Sequence, residues 1–182
     1  ERILTSSLFG VWGDPVVIFD ANGYAYYAHL SNPEGPAWID RIVVHRSING
    51  GQTWDDGVGV GYNTDKEQDK EWMAADNYGS QYAGNIYMSW TEFDAYGSND
   101  PADKSRIRFS RSADLSETWT EPIVISDTEG DCIDSDNTME GAVPAIANNG
   151  NIYIAWAGPE GIYFDLSTDG GLSFGTDLLL DD

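Results

Sequence analysis

The run Asp127-Thr128-Glu129-Gly130-Asp131-Cys132-Ile133-Asp134-Ser135-Asp136-Asn137 sets oxygen-bearing side chains one to three residues apart around a glycine that permits a sharp bend. A hard cation such as Ca²⁺ takes roughly six to eight oxygen ligands, which makes Asp131, Asp134, Asp136 and Asn137 candidate metal ligands and Ca²⁺ the candidate cofactor. The spacing is not that of an EF-hand, because the twelve-residue loop with a closing glutamate is absent. The same run also reads as a solvated acidic loop without metal. A second acidic run, Asp65-Lys66-Glu67-Gln68-Asp69-Lys70-Glu71, carries two lysines, and the solvated reading is preferred there.

Both runs lie between stretches in which apolar and polar residues alternate. Val16 to Asp20, Tyr24 to Leu30, Arg41 to Arg46 and Val58 to Tyr62 read as four successive short strands. Trp72 to Asp76, Gly84 to Trp90, Arg106 to Arg111 and Ile123 to Ser126 repeat the pattern, and Val143 to Ala147, Asn151 to Trp156, Gly161 to Phe164 and Leu178 to Leu180 repeat it again. Between the third and fourth strand of each unit stands one turn signature: Ser47-Ile48-Asn49-Gly50-Gly51-Gln52-Thr53-Trp54, Ser112-Ala113-Asp114-Leu115-Ser116-Glu117-Thr118-Trp119 and Ser167-Thr168-Asp169-Gly170-Gly171-Leu172-Ser173-Phe174. An Asp or Asn side chain bonds backbone N–H groups two residues ahead, glycine permits a positive φ, and the closing ring pins the hairpin. Self-similarity at this period marks an array of equal units, each the size of one four-stranded propeller blade. The expectation is an all-β propeller with three antiparallel blades at about 14–62, 69–127 and 140–182.

The Ser-x-Asp-x-Gly-x-Thr-Trp pattern resembles the Asp-box, or bacterial neuraminidase repeat, of sialidase-like β-propellers. Its positions are held by Ser47, Asn49, Gly51 and Trp54, by Ser112, Asp114 and Trp119, and by Ser167, Asp169, Gly171 and Phe174. Asn49 departs from the usual Asp, Ser116 from the usual Gly and Phe174 from the usual Trp. The resemblance covers about residues 14 to 182 and implies a ring of usually six blades, so three are expected to be half of a circle. A gene continuing beyond Asp182, a second copy or a partner chain would complete it, and residues 1–13, with Ile3-Leu4-Thr5, could supply a strand to another blade. An open arc would otherwise leave two apolar flanks. Secretion or surface display is expected from the resemblance alone.

In such a propeller the connections between blades and between second and third strands share one face, opposite the signature turns. That face would carry residues 29–40, 65–71, 93–104, 127–140 and 158–161, the long loops where binding normally resides. Trp38, Trp12, Trp72, Phe93 and Tyr96 fall on or near it and could stack on sugars, although Trp72 begins an inner strand and reads as core. Trp38 and Tyr96 are the substrate-binding candidates. The resemblance further implies a cluster of arginines gripping a substrate carboxylate. Arg41 and Arg106 hold equivalent places at the start of the third strand, while the third unit has Gly161, and Asp40 and Asp103 stand ready as ordinary ion-pair partners. It also implies a Tyr nucleophile assisted by Glu, an Asp acid/base, and an amino-end motif that Glu1-Arg2-Ile3-Leu4 matches poorly. Asp14 and Asp40 are the candidate catalytic acids.

Thirty-one acids against nine Lys and Arg give a net charge of −22. Nucleic acid and anionic membrane surfaces demand basic patches and are set aside as partners. No apolar run approaches the roughly 20 residues of a membrane span. The lone Cys132 cannot form an internal disulfide. Two functions remain: a non-catalytic module that binds glycan or protein on its long-loop face, and half of an exo-sialidase-like glycoside hydrolase whose other catalytic residues lie in absent blades. The missing motif and the acidic surface favour the first.

Overall fold

The computed structural model describes residues 10–31 and 38–181, and every regular element within them is a strand. The expected strand at Ile3-Leu4-Thr5 and the Glu1-Arg2-Ile3-Leu4 segment lie outside the described residues. Strands β1 (Val16–Phe19), β2 (Ala25–Ser31), β3 (Arg41–Ser47) and β4 (Val58–Val60) form one antiparallel meander. β5 (Glu67–Ala75), β6 (Ile86–Phe93), β7 (Ser105–Ser112) and β8 (Ile123–Val124) form a second, and β9 (Glu140–Ile146), β10 (Ile152–Gly158), β11 (Gly161–Ser167) and β12 (Leu178–Asp181) a third.

Side chains alternate across a strand, so each sheet offers an apolar face to both neighbours. Tyr26, Ala28, Leu30, Ile42 and Val44 of the first sheet pack on Met73, Ile86, Met88 and Trp90 of the second. The intervening residues of the second sheet, Tyr87, Ile107 and Phe109, face the other way and pack on Ile152, Ile154, Trp156 and Tyr163 of the third. β6, between the two cores, is consequently buried at every position. The innermost strands β1, β5 and β9 lie next to one another in that order.

The three signature turns close by the same bonds. Ser47, Ser112 and Ser167 each accept, through Oγ, the amide four residues on at 2.9 Å, and each donates its hydroxyl proton to Asn49, Asp114 or Asp169. That amide or acid then accepts the N–H of Thr53, Thr118 or Ser173 at 2.9–3.0 Å. The third position needs positive φ, found at Gly51 (80°), Ser116 (65°) and Gly171 (82°). Gly171 has a second reason to lack a side chain, since a Cβ there would stand 2.6 Å from Phe109 Cε1. The closing rings reach beyond their own hairpins: Phe174 meets Phe109 edge-on at 4.8 Å, and Trp119 packs on the core between the first two sheets.

Asp169 also accepts the Leu172 amide and the Ser173 hydroxyl, and these bonds outweigh desolvation and hold its carboxyl down to about 2. The turn is therefore stabilised above the usual carboxylate range and loses that support as pH falls through about 2. Asp169→Ala is expected to cost about 2 kcal/mol in urea unfolding at pH 7. The difference from the parent should shrink steadily below pH 4.

Candidate functional site

The innermost strands share a local irregularity that builds a site. Gly13 accepts the Leu30 amide at 3.0 Å while Val16 lies opposite Ala28, so Asp14 and Pro15 both fall opposite His29. Asp69 pairs with Thr91 and Trp72 with Ser89, leaving Lys70 and Glu71 together opposite Trp90. Glu140 pairs with Ala157 and Val143 with Ala155, leaving Gly141 and Ala142 opposite Trp156. β5 and β9 thus each carry one β-bulge, and the segment entering β1 doubles a residue at the same height. The first residue of each doubled pair has positive φ: Asp14 at 53°, Lys70 at 53° and Gly141 at 71°. Such bulges bend the strand and re-aim side chains, and non-glycine residues hold this conformation only where packing enforces it.

The three bulges line one cavity of about 300 Å³, walled by Asp14, Pro15, Val16, Lys70, Glu71, Trp72, Gly141 and Val143. Glu71 is 2% exposed, and neither of its carboxylate oxygens meets a hydrogen-bonding partner from another residue. Burial pushes its carboxyl up to about 9, with Asp14 and Asp69 adding repulsion. Asp69 is pushed up to about 6, mainly by burial, with Asp14 and Glu140 contributing. Lys70 Nζ lies 3.4 Å from Glu140 Oε1 and is paired there. Burial thus favours the protonated form of Glu71 at neutral pH, and Asp14 is the other acid lining the cavity.

An aromatic ledge flanks this cavity. Trp12 meets Trp38 edge-on at 5.3 Å, Trp38 lies 5.9 Å from Tyr96, and Tyr96 meets Phe93 edge-on at 5.1 Å. Trp12, Trp38 and Tyr96 are exposed, whereas Phe93 is buried at the end of β6. The Tyr96 hydroxyl donates to Asp134 at 3.0 Å, its amide donates to Glu67, and the Gly97 amide donates to the Cys132 carbonyl at 2.7 Å. Asp134 also raises the Glu140 carboxyl, and Lys70, which lines the cavity, acts on the Tyr96 hydroxyl, so the Tyr96 end of the ledge lies toward the cavity.

Of the residues singled out by sequence, Asp14, Trp38 and Tyr96 are brought to this face. Asp40 is engaged elsewhere: Arg41 clasps it through Nε and Nη2, both at 2.7 Å, and lies 4.2 Å over the Tyr62 ring. Arg106 donates to Glu92 at 3.2 Å, Asp94 at 2.9 Å and Glu129 at 3.1 Å, and Asp103 is not its partner. Both guanidinium forks are thus occupied by carboxylates. Asp131 accepts the Ile133 amide and the Ser135 and Thr138 hydroxyls, while Asp134 holds Tyr96. Among the described residues no group of three or more His, Cys, Asp or Glu is gathered as a cation site.

Two readings of β5 are corrected. Trp72 is 48% exposed and lines the cavity instead of joining the core. Glu67 to Glu71 belongs to a strand, not a solvated loop, and Glu71 is among the most enclosed acids of the protein. Glu71, Asp69, Lys70 and Glu140 were not identified from the sequence. Their signal was positional: each lies at the start of an inner strand, level with Asp14.

No family model matches the chain, and no curated protein matches it. Solved structures do. A mutant of NanB sialidase from Streptococcus pneumoniae superposes with a TM-score of 0.68 at 6% identity, over 95% of this chain and 45% of that one. A Hadza microbial sialidase gives 0.63 at 16% identity over 94% and 37%. A Penicillium chrysogenum alpha-L-arabinanase complexed with arabinobiose gives 0.59 at 14% identity over 97% and 53%. The chain thus has the β-propeller fold of these glycoside-cleaving proteins, and it spans about half or less of their lengths.

A carboxyl raised by burial adds no ionisation penalty to the folded state below its ordinary 4.5, and it destabilises that state progressively as pH rises from there toward about 9. Glu71→Gln is expected to flatten the decline in melting temperature between pH 5 and pH 9 and to raise it at pH 8. A steeper decline in the variant would show that Glu71 is ionised and satisfied. Chelation tests the calcium expectation at residues 131–137: a fall in melting temperature with EDTA that Ca²⁺ reverses is the outcome it requires, and an unchanged melting temperature retires it, since a ligand bound only to the native state raises stability.

Proposed function

We propose that this chain is a glycan-binding arc of a larger, secreted or surface-displayed propeller, with the ligand lying along the Trp12–Trp38–Tyr96 ledge and its end in the bulge-lined cavity. The observation that carries this reading is the run of exposed rings beside a cavity of about 300 Å³, at the low end of the range for small-ligand sites. Aromatic faces suit the apolar faces of sugar rings, and bulged strands on a packed scaffold hold them rigidly. The glycan-acting names of the similar folds support the same reading.

The arc carries exposed apolar residues on both flanks: Val17 and Phe19 on the first sheet, Ile162, Leu178 and Leu179 on the third. Further blades covering these flanks and closing a ring of six or more belong to the proposal. The proportions of the chain relative to its structural neighbours support it.

A hydrolytic reading has one specific observation in its favour. Burial favours the protonated form of Glu71 at neutral pH beside a cavity that Asp14 also lines, and glycoside cleavage uses a pair of carboxyl groups. Distinguishing the two requires the whole propeller. Isothermal titration against neutral oligosaccharides is expected to show binding that weakens about tenfold in Trp38→Ala, about 1.4 kcal/mol. Turnover of fluorogenic sialosides or arabinosides by the full ring, lost in Glu71→Gln, would replace the binding reading with the hydrolytic one. Unchanged affinity in Trp38→Ala would remove the ledge from the ligand path.

A further inference from the structure

The two junctions inside the arc show what a neighbouring blade must bring, and the two ends of the arc do not match each other. At both junctions the residue immediately before the signature serine is an arginine that faces the next sheet. Its guanidinium donates to the carbonyl three residues after the next signature serine, Arg46 to Leu115 at 2.8 Å and Arg111 to Gly170 at 3.2 Å. The sheet that supplies the arginine also covers the turn it grips, so that Ser116 in the second turn and Gly170 and Gly171 in the third are buried. At the first turn the matching positions are Gly50 and Gly51, and both are exposed. No described sheet lies on that side to bring an arginine to the Gly50 carbonyl. At the other end of the arc the residue before Ser167 is Leu166, which shares a face of β11 with Ile162 and Phe164 and whose side chain has nothing to donate.

We propose that the outer face of the first sheet, with the exposed Val17 and Phe19 and the open Gly50 carbonyl, docks a blade of the larger propeller whose third strand ends in an arginine, and that this blade is not a second copy of the third sheet. This rests on the reading of the chain as an arc of a ring and specifies the neighbour on one side of it. A carbonyl enclosed in a junction and left unpaired costs the desolvation of that group, whereas a guanidinium satisfies it with a charge-assisted bond. A copy of this chain entering head to tail would lay the Leu166 methyl groups where the guanidinium belongs. Contact of Val17 and Phe19 with Ile162 and Phe164 would then form over an unsatisfied carbonyl, and two chains of net charge −22 would repel as they approached. The arc thus discriminates against its own copy and in favour of an arginine-bearing blade, by an unpaired group in one case and a satisfied one in the other.

The test gives the third sheet the missing residue. Sedimentation velocity in high salt, which screens the repulsion between chains, compares the parent protein with Leu166→Arg and with Leu166→Arg combined with Phe19→Asp, the folding of each checked by its melting curve. Arg111→Leu, which places the third sheet's residue at an internal junction, is unfolded in urea beside the parent. The parent is expected to be a monomer, Leu166→Arg to self-associate at least tenfold more tightly, and the double variant to be a monomer again. Arg111→Leu is expected to unfold at a lower urea concentration than the parent. Parent chains that pair as tightly as Leu166→Arg overturn the inference and leave the ring reading standing, because copies then close the circle without the bond. Association in none of the three overturns the inference alone. Association that Phe19→Asp does not weaken overturns both the inference and the use of this flank as a blade contact. An unchanged urea midpoint in Arg111→Leu overturns the inference at its source, since the internal junctions would then not depend on the bond.

Discussion

Everything on the bulge-lined side depends on how one sheet is clamped to the next. Arg46, at the end of β3, donates to the Leu115 carbonyl in the second sheet's turn at 2.8 Å, and Arg111, its counterpart in β7, donates to the Gly170 carbonyl in the third sheet's turn at 3.2 Å. The acceptors stand at the same position of the repeated signature, three residues after the serine. The second and third turns are thus each both the end of their own hairpin and the socket for an arginine from the sheet before. Phe174 against Phe109 and Trp119 against the first core add apolar contact at the same places. A charged donor to a partly buried carbonyl is directional where hydrophobic packing is not, so these bonds set the angle between sheets. That angle brings β1, β5 and β9 side by side.

Once those strands are adjacent, the bulges decide the chemistry. A regular strand would send alternate residues into the two inter-sheet cores, and an acid at Glu71 would have to be excluded from that pattern. The doubled residues opposite His29, Trp90 and Trp156 break the alternation at one height in all three sheets. The resulting gap becomes the cavity. Asp14 and Lys70 accept a left-handed conformation that costs a non-glycine residue about 1–2 kcal/mol. The blade cores on either side hold that strain in place, while in the third sheet Gly141 adopts the conformation freely.

The architecture was legible because it is written three times. Ser112, Asp114 and Trp119 in one turn would say little, whereas the same types in register with four alternating strands define a meander, and each of the twelve strands overlaps the segment the alternation marks, with β5 and β9 beginning earlier, at Glu67 and Glu140. The site was less legible for a reason of geometry. Asp69-Lys70-Glu71 reads as hydrophilic chain, and only the pairing of Asp69 with Thr91 and Trp72 with Ser89 shows that it is strand with one residue too many. A bulge changes burial by shifting register, and register is a relation between strands that no single segment carries. The arginines illustrate the converse: Arg41 and Arg106 were correctly aligned, but their partners came from neighbouring strands and loops that the alignment did not specify.

The strongest sign that Glu71 serves a ligand instead of the fold comes from its equivalents. The same place in the first bulge is Pro15 and in the third Ala142, so the bulge forms with an imino acid, a methyl group or a carboxylic acid alike. Nothing in the backbone geometry requires the acid. Its burial without a partner works against stability, and a hydrophobic or amide side chain of similar size would avoid that penalty. Structural reasons for a buried acid, an ion pair or a bonded turn, are visible at Asp40 and Asp169 and missing at Glu71.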